Sequence, residues 1–249
     1  MTAEVFRVAR FRSNEGQVRW FGGRIARLVR GERRRILEVG CGDGALLVHL
    51  ALAMPDATLT GVDISAGNIA DAARAIGAAG LQARVTVVHR DILALDAGPF
   101  DAVVAHSSLQ FLPVSTTALA ATFARLISPG GWLIHATPMA CAFNTALSNA
   151  RRVLRAVRSP VVDAVVLGAA RVLHPHADPV RRRQALEYMY LPLVHTEDAL
   201  RTALVPRGFV LIMEEPMPHT SWGQPKHRAV ALTAPGEAAG RSVSGNREG

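Results

Sequence analysis

The sequence predicts an α/β protein in which a mostly parallel, doubly wound sheet is covered by helices on both faces. Strand-like and helix-like runs alternate from residue 36 to residue 136, which is typical of a parallel sheet with helical crossovers. A glycine-rich turn joins the first strand of this series to the first helix. Two further strand-like runs near the C-terminus are separated only by a short Pro-containing stretch, so we expect these two strands to pair antiparallel.

Seven strands and three crossover helices are predicted. Each helix has apolar residues at three- and four-residue spacing, the period of a helix that buries one face. The predicted strands are 36–39, 58–62, 85–89, 102–105, 132–136, 209–213 and 228–232, and the crossover helices are 45–54, 67–79 and 116–127.

Residues 139–195 interrupt the alternation and predict a helical insertion between the fifth and sixth strands. Residues 143–157 are predicted to form an amphipathic helix, and residues 161–172 a second helix that ends before a His-Pro pair. We expect the arginines of the first helix on its other, solvated faces. The apolar stripe consists of Phe143, Leu147, Ala150, Leu154 and Val157, and the arginines are Arg151, Arg152, Arg155 and Arg158.

These patterns divide the chain into four parts. Residues 1–35 are a predicted N-terminal helical segment, residues 36–138 and 196–234 form the α/β core, and residues 139–195 form the insertion. From residue 235 the chain turns to Gly, Ser, Arg and Glu without periodicity, so we expect residues 235–249 to be a disordered tail.

Composition excludes several classes of protein. With 249 residues, 49% of them hydrophobic, the chain can build a sizeable core, which excludes disorder over most of its length. The two cysteines, Cys41 and Cys141, lie in no paired motif, so we expect neither a disulfide scaffold nor a bound metal. The longest apolar run is shorter than the ~20 residues of a bilayer span, and the N-terminus has no signal-peptide pattern. We therefore expect a cytoplasmic protein without a membrane partner.

The net charge of +8 is unevenly distributed along the chain. Residues 1–35 and 139–195 are basic, residues 36–138 are acidic, and all but one of the 28 basic residues are arginine. Solvated helix faces in an arginine-rich composition explain this pattern. Basic flanks would also suit a nucleic acid, but the sequence has no basic patch interleaved with aromatic residues, so no nucleic-acid partner is expected.

The strongest chemical signal is the turn after the first strand. Residues 38–44, EVGCGDG, place three glycines at alternate positions just before a helix. Glycine lets the backbone approach a ligand closely, and the first N–H groups of a helix have no partner within the helix. The fragment also fits a loose dinucleotide fingerprint, and a tight turn without any ligand is the alternative interpretation.

Acidic residues follow the second and third strands. Asp63 lies nineteen residues beyond Gly44, where a carboxylate can accept hydrogen bonds from both hydroxyls of a ribose. An acid that only favours a helix dipole is the alternative. Asp91, after the third strand, can accept a hydrogen bond from an exocyclic amino group, with Ile64 and Ile92 on the two sides of a base. These residues end neighbouring strands, where open α/β sheets bind ligands.

With these motifs the chain resembles the class I S-adenosylmethionine-dependent methyltransferases. The family's glycine motif, E/D-x-G-x-G-x-G, matches residues 38–44 without a gap, its ribose-binding acid matches Asp63, and its adenine-side aspartate matches Asp91. Residues 126–133 look like the family's L-x-P-G-G turn into the fifth strand. The resemblance covers residues 35–138 by motif and 196–234 by pattern. It implies a Rossmann-like sheet of strand order 3-2-1-4-5-7-6 with strand 7 antiparallel.

The resemblance also implies the cofactor S-adenosylmethionine and the activity of a methyltransferase. The Pro-Gly-Gly turn and the terminal strand pair favour this cofactor over a dinucleotide. The cofactor-binding residues implied are Glu38, Gly40, Cys41, Gly42, Gly44, Asp63, Ile64, Asp91, Ile92 and His106.

Residues 107–113, SSLQFLP, are similar to the A-L-Q-W-L-P segment of trans-aconitate methyltransferase-like enzymes. We therefore expect a small-molecule acceptor, with a hydroxyl, carboxylate or amine, and a monomer or homodimer. The chain departs from those relatives at His106, where Asn or another small polar residue is common, and at Asn68, where an apolar residue is usual. Two alternatives stay open: an RNA or protein methyltransferase that uses the Arg-rich flanks, and a protein that binds the cofactor without catalysis.

Two histidines are candidate bases. His106 ends the fourth strand, where a base near the transferred methyl group would take a proton from the acceptor. A histidine that only forms a hydrogen bond beside the cofactor is the alternative. His135, in the fifth strand, is the second candidate, although strand alternation can direct it into the sheet packing. With His106 as the base, we expect the rate to fall below the ordinary histidine pKa of ~6.5.

The insertion is expected to cover the substrate, because in this architecture the connection between strands 5 and 6 passes over the carboxyl edge of the sheet. Aromatic residues of the insertion and of the N-terminal segment are candidates for the substrate pocket, with core packing as the alternative for each. The candidates are Trp20, Phe21, Phe143, Asn144, Tyr188 and Tyr190.

Overall fold

The computed structural model describes residues 13–31, 34–112, 114–173, 182–183, 186–187, 189–190, 196–218 and 224–236. All seven predicted strands are found, with ends that differ by a few residues. The strands are β1 (Arg35–Val39), β2 (Thr58–Asp63), β3 (Val85–His89), β4 (Phe100–His106), β5 (Ile127–Pro138), β6 (Val210–Pro216) and β7 (His227–Thr233). The longer helices are α1 (Glu15–Leu28), α2 (Ala45–Ala53), α3 (Ala66–Ala78), α4 (Thr116–Leu126), α5 (Ala142–Ala156), α6 (Pro160–Leu173) and α7 (Glu197–Leu204).

The strands form one sheet in the order β3-β2-β1-β4-β5-β7-β6. β1 pairs in parallel with β2 and β4, β2 with β3, and β4 with β5, whereas β7 is antiparallel to both β5 and β6. The predicted doubly wound sheet, its strand order and its antiparallel seventh strand are therefore confirmed. Because β1 to β5 run in the same direction, their carboxyl ends meet at one edge of the sheet.

Each face of the sheet has its own apolar core. On one face α1, α2 and α3 pack against strand residues such as Ile36 and Val104. On the other face α4 and α7 pack against the intervening residues, such as Leu37 and Val103. Successive side chains of a strand point to opposite faces, so the apolar runs of the central strands fill both cores. The two faces are called here the α1 face and the α4 face.

β5 is longer than predicted, because it includes the Pro-Gly-Gly turn at its start. A Cβ at Gly131 would lie 2.8 Å from the carbonyl oxygen of Ser128 and 2.9 Å from that of Asp101. The pairing of β4 and β5 shifts register between Phe100 and Ala102 beside this turn. Glycine therefore allows the turn to enter the sheet close to β4, a contact that no local pattern shows.

The insertion contains α5 and α6, as predicted, but α5 buries a different stripe from the predicted one. Arg151, expected on a solvated face, is 1% exposed, whereas Val157, expected on the apolar stripe, is 51% exposed. The buried residues of α5 are Asn144 and Arg151, which lie seven residues, or about two turns, apart. Hydrogen bonds of Asn144 to the backbone beside β5 and β7 orient the first turn of α5, and Phe143, Leu147 and Leu154 of the predicted stripe are half-buried.

The predicted disordered tail begins at an anchored residue. The carbonyl oxygen of Pro235 accepts a hydrogen bond from Gly130 N–H at 3.1 Å. Residues 237–249 lie outside the described residues, so disorder there stays a prediction, as does the division of the chain into four parts. No helix in the described ranges combines the length and the apolar character that crossing a membrane requires.

Candidate active site

The glycine turn between β1 and α2 has a backbone that favours glycine. Gly40, Gly42 and Gly44 have φ angles of +69°, +53° and +77°, in the left-handed region that side chains disfavour. A Cβ at Gly40 would lie 2.5 Å from Cβ of Ser108, and one at Gly44 would lie 2.9 Å from Cβ of Ala72. The turn is therefore packed between the segment after β4 and helix α3, so these glycines serve the fold as well as any ligand.

Asp63, at the end of β2, organises this turn. Its Oδ1 accepts a hydrogen bond from Ser65 N–H at 2.8 Å, and its Oδ2 accepts from Gly42 N–H at 3.0 Å and from Nδ2 of Asn68 at 3.2 Å. The carboxylate thus joins the glycine turn to the start of α3. Asn68, one of the two departures from the family pattern, supplies one of these donors, a role that sequence reasoning missed.

Glu38, Asp43 and Asp63 form an acidic cluster at this edge. Burial raises the pKa of Glu38 well above its ordinary value, and the charges of Asp43 and then Asp63 raise it further. Oε2 of Glu38 is buried without a hydrogen-bond partner among the described residues. Within the same ranges, no Lys or Arg forms an ion pair with any of the three carboxyl groups. The acidic cluster is therefore suited to a positively charged or hydrogen-bond-donating ligand.

Ser13, just before α1, contacts the acidic cluster. Ser13 donates two hydrogen bonds to the carboxylate of Asp43, from its backbone N–H at 3.0 Å and from its hydroxyl at 2.7 Å. The two residues are 30 positions apart, so the sequence shows no pattern that links them. This contact joins the N-terminal segment directly to the glycine turn.

Two of the residues that are predicted to surround the nucleobase of the ligand are at least partly accessible to solvent. Asp91 is exposed, and its Oδ1 accepts a hydrogen bond from Leu93 N–H at 2.9 Å, which caps the short 3-10 turn after β3. Ile64 is half-buried, and its carbonyl oxygen lies 2.9 Å from Nε2 of His89. Both residues follow the carboxyl ends of their strands, as predicted.

The side chains of Cys41 and Ile92 belong instead to the cores. Cys41 is buried with its Sγ against Gly61 of β2, where a Cβ on the glycine would lie 2.9 Å away. Burial raises the pKa of this thiol. Ile92 is buried in the core of the α4 face. Both side chains are therefore packed in the protein interior, and the cofactor contacts predicted at these two positions stay predictions.

His106, the last residue of β4, is covered by α1. Its ring stacks on Phe21 with a centroid distance of 5.4 Å and an interplanar angle of 24°. Burial lowers the pKa of His106 to about 4, an effect that the nearby charge of Asp43 partly opposes. Nε2 is buried without a hydrogen-bond partner in the described part of the chain. The imidazole is therefore neutral near pH 7, and the described residues supply no partner for its Nε2.

His135 lies in the neighbouring strand but on the α4 face. It pairs across the sheet with Ala105, and Leu133 lies two positions before it in β5. Both of these residues belong to the α4 face. Its Nδ1 is 3.2 Å from Oγ1 of Thr137, and burial lowers its pKa to about 4. The alternation of β5 thus directs His135 into the packing, which was the alternative to a catalytic role.

The aromatic candidates of the N-terminal segment divide between core and rim. Phe21 is fully buried on His106. Trp20 is half-buried against the same core, and the guanidinium of Arg24 lies 4.0 Å from its ring centroid. Phe21 therefore closes the α1 face over the end of β4, and Trp20 borders it.

The candidates of the insertion have mainly structural contacts. Nδ2 of Asn144 donates hydrogen bonds to the carbonyl oxygens of Met139 and Lys226, and its Oδ1 accepts from Lys226 N–H. These bonds orient the start of α5, and the substrate contact predicted for Asn144 stays a prediction. Phe143 beside it is half-buried, with Nζ of Lys226 5.2 Å from its ring centroid.

Tyr190 closes a small polar cluster within the insertion. Its hydroxyl donates a hydrogen bond to Asp163 at 2.5 Å, and the guanidinium of Arg158 lies 4.2 Å from its ring centroid. Burial and the hydrogen bond to Asp163 raise the pKa of Tyr190 to about 12. Tyr188, the remaining candidate, lies outside the described residues.

Gln110 and His227 form a buried polar pair that sequence reasoning missed. Nε2 of Gln110 lies 2.8 Å from the carbonyl oxygen of Ser107 and 3.2 Å from Nε2 of His227. The two residues are 117 positions apart, so no local pattern connects them. The only signal available is that Gln110 lies within the segment similar to trans-aconitate methyltransferase-like enzymes.

Comparison with known proteins agrees with this site. Residues 37–133 match the sequence model of a methyltransferase domain family. The ubiquinone biosynthesis O-methyltransferase of Thiobacillus denitrificans is 33% identical over 105 residues, which cover 42% of this chain and 44% of that protein. The trans-aconitate 2-methyltransferase of Methylobacterium nodulans is 32% identical over 115 residues, which cover 46% and 42%. The chain thus spans about half the length of the curated relatives it matches.

Solved structures share the whole fold. The magnesium protoporphyrin IX methyltransferase of Synechocystis, crystallised with SAH, superposes with a TM-score of 0.60 and 17% identity, covering 90% of this chain and 89% of that one. At this identity the likeness concerns the fold alone. Residues 37–133 thus match a methyltransferase domain, and the strand order of the sheet agrees with the fold that the resemblance to class I S-adenosylmethionine-dependent methyltransferases implies.

Proposed function

We propose that the protein is an enzyme that transfers a methyl group from S-adenosylmethionine to a small-molecule acceptor. The observation that carries this proposal is the acidic cluster beside the glycine turn, in which Oε2 of Glu38 is buried without a hydrogen-bond partner in the described part of the chain. A buried carboxyl group of this kind needs a cation or a hydrogen-bond donor to offset its lost hydration. S-adenosylmethionine carries a sulfonium, an ammonium and two ribose hydroxyls, so its chemistry fits this site.

Residues at the ends of β1, β2 and β3 would hold the cofactor. The two oxygens of Asp63 accept three hydrogen bonds from the protein, and a carboxylate has about four acceptor positions. One position thus stays for a ribose hydroxyl, fewer than the two predicted from the sequence. Glu38 would accept a hydrogen bond from the ammonium group of the cofactor. Asp91, which is exposed, would accept one from the amino group of the adenine base.

When bound, S-adenosylmethionine supplies an electrophilic methyl group on a positively charged sulfur. The protein orients the acceptor, excludes water and receives a proton. Phe21 stacks on the ring of His106, and Nε2 of that ring is buried. Because the pKa of His106 is lowered to about 4, Nε2 is free to take the proton that a hydroxyl or ammonium acceptor releases on methylation. A carboxylate acceptor would release no proton.

The insertion is proposed as the substrate cover. Asn144 supports this by tying α5 to Met139 and Lys226, which adjoin the carboxyl end of β5 and the start of β7. Phe143 and Tyr188 stay predicted substrate contacts. The cytoplasmic location, the absence of nucleic-acid and membrane partners, and the monomeric or homodimeric state also stay predictions.

Cofactor binding is the first test. Asp63→Ala removes charge-assisted hydrogen bonds, each worth ~1.5–3 kcal/mol, so we expect the affinity for S-adenosylmethionine, measured by calorimetry, to fall about tenfold to a hundredfold. Asp56→Ala, on an exposed turn, is the matched control and should bind like the wild-type protein. Unchanged affinity in a folded Asp63→Ala protein would contradict the assignment.

Methyl transfer is the second test. Wild-type protein incubated with methyl-labelled S-adenosylmethionine and a metabolite extract should put label into small molecules. Label in added RNA or protein would favour the alternative acceptors that the Arg-rich flanks suggest. Binding of the cofactor without any transfer would favour a non-catalytic protein.

A further inference from the structure

The amide of Gln110 has an orientation that its neighbours determine. Its nitrogen faces the carbonyl oxygen of Ser107 at 2.8 Å, and a carbonyl oxygen can only accept a hydrogen bond. His227 has Nδ1 2.8 Å from the carbonyl oxygen of Pro225, so Nδ1 carries the proton and Nε2 accepts from Gln110. Both N–H donors of Gln110 are therefore used, and the positions of its oxygen and nitrogen are assigned.

The oxygen of the same amide is buried, and no described residue forms a hydrogen bond with it. Gln110 is 0% exposed, and Oε1 is buried without a hydrogen bond among the described residues. A buried amide oxygen that has lost its hydration lowers the stability of the fold unless a donor binds it. The nitrogen has a structural role, because it supports the left-handed backbone of Ser107, with φ of +55°. No such role within the fold accounts for the oxygen.

Gln110 and His227 lie at the same edge of the sheet as His106. His106 ends β4 and is stacked on Phe21 of α1, and His227 begins β7. By strand alternation His227 shares the α1 face with Ala229, which belongs to the core of that face. β5 separates the two strands, and with a strand spacing of ~4.8 Å the backbones of β4 and β7 are about 10 Å apart.

The strand between the two histidines has a small side chain at this place. Ala136 of β5 pairs with His106 on one side and with Ala229 on the other. The side chain of Ala136 is only a methyl group, so a ligand that entered from the strand ends and contacted both His106 and Gln110 would pass over a small residue. The polar edge of the α1 face thus combines an imidazole nitrogen with an amide oxygen, and neither atom has a hydrogen-bond partner within the described residues.

We propose that Oε1 of Gln110 accepts a hydrogen bond from a second hydroxyl or amino group of the acceptor, next to the group that is methylated, and that His227 is a positioning residue for this amide. This inference rests on the proposed methyltransferase function and narrows its acceptor to molecules with two adjacent donor groups. A carboxylate fits poorly, because it would face the amide oxygen and the acidic cluster without gaining a hydrogen bond.

Matched pairs of small molecules test this proposal. We would titrate the wild-type protein, saturated with S-adenosylhomocysteine, with catechol and 2-methoxyphenol, with 2-aminoethanol and 2-methoxyethylamine, and with salicylate. At least one donor-bearing member should bind about tenfold more tightly than its methoxy partner, and salicylate should bind less tightly than catechol. The same preference is expected in kcat/KM for methyl transfer, through KM more than through kcat.

Variants assign the preference to the amide oxygen. Gln110→Leu should bind both members of a pair equally, with unchanged affinity for S-adenosylhomocysteine. Gln17→Leu is the matched control, since Gln17 is also a buried glutamine whose nitrogen donates to a carbonyl oxygen, that of Pro218, and it should keep the preference. His227→Phe should weaken the preference, whereas His227→Gln, whose amide oxygen can still accept from Gln110, should restore it.

Two outcomes would overturn the inference. The first is that the wild-type protein, with S-adenosylhomocysteine bound, binds neither member of any pair or does not discriminate within any pair. The second is that Gln110→Leu is folded and retains the full preference. Failure of the wild-type protein to bind S-adenosylhomocysteine would instead contradict the proposed function itself. The measurement on the wild-type protein does not depend on whether any variant folds.

Discussion

The α1 face and the α4 face of the sheet each bury a histidine, in two neighbouring strands. Burial lowers the pKa of both His106 and His135 to about 4. On the α1 face, Nε2 of His106 is left without a partner among the described residues, whereas on the α4 face Nδ1 of His135 lies 3.2 Å from the hydroxyl of Thr137. Burial and a low pKa therefore do not distinguish the two. The two histidines differ in that His106, at a strand end, has a ring nitrogen without a hydrogen-bond partner among the described residues.

The difference follows from position within the strands. His106 is the last residue of β4, where the chain leaves the sheet and Phe21 of α1 covers it. His135 lies inside β5, with hydrogen-bonded strands on both sides. An imidazole at a strand end can meet a ligand that enters from the edge, whereas one inside a central strand meets only the packing of its face.

The largest expected effect is on catalysis at His106. His106→Ala removes the proton acceptor, so with a hydroxyl or amine acceptor kcat should fall about 100-fold or more. Transfer of labelled methyl groups measures this loss, and calorimetry with S-adenosylmethionine should show a much smaller change in affinity. Near-normal turnover in the variant would reject the role of His106 as a base, and neither histidine would then have a catalytic role.

A smaller effect is expected on stability at His135. His135→Ala deletes a fully buried side chain and its hydrogen bond to Thr137, so the free energy of unfolding should fall by about 2 kcal/mol or more. Denaturant unfolding measures the change, and kcat per folded molecule should stay within about twofold of wild type. A large loss of kcat in folded His135→Ala protein would break the comparison by giving the α4 face a catalytic part.

The smallest expected effect is a shift in the pH profile. Only neutral imidazole accepts a proton, so kcat should stay level from pH 8 to about pH 5 and fall only as pH approaches the His106 pKa of about 4. The sequence alone predicts this fall near ~6.5. The acidic limb should be absent in His106→Ala. A midpoint near 6.5 in the wild-type enzyme would show that the imidazole is hydrated during turnover.

The same pKa values predict how stability changes with pH. Both folded histidines have pKa values below the ~6.5 of an unfolded chain, so the unfolded state binds more protons between these values. Stability should therefore fall as pH drops from about 6.5 towards about 4. Kinetic measurements at acid pH consequently need a parallel check that the protein is folded.

The glycine turn shows how far local sequence reasoning reaches. Residues 38–44 form the turn where they were expected, because left-handed backbone and close packing require glycine at specific positions. Asp63 also lies at the predicted strand end. The spacing did not show that its oxygens already accept bonds from Gly42, Ser65 and Asn68, because hydrogen-bond partners depend on how the turn and α3 are packed together.

The insertion shows where such reasoning stops. Apolar spacing correctly located α5 and α6 but missed the two residues that α5 buries most, because the bonds of Asn144 to Met139 and Lys226 orient that helix. Periodicity records which residues are apolar. It does not record a polar side chain that is buried because distant backbone groups bind it, as at Asn144, or a buried Arg151.

The sequence by itself determined the fold class, the strand order through family resemblance, and the location of the glycine turn and its acidic companions. These features depend on local propensity and on residue types at short spacing, which a linear chain displays. Only the tertiary structure decided that His106 faces α1 while His135 faces the opposite core, and that Gln110 meets His227 across 117 positions. The direction in which a side chain points, its burial and its pKa arise from residues far apart in the chain, so they exist only once the sheet has formed.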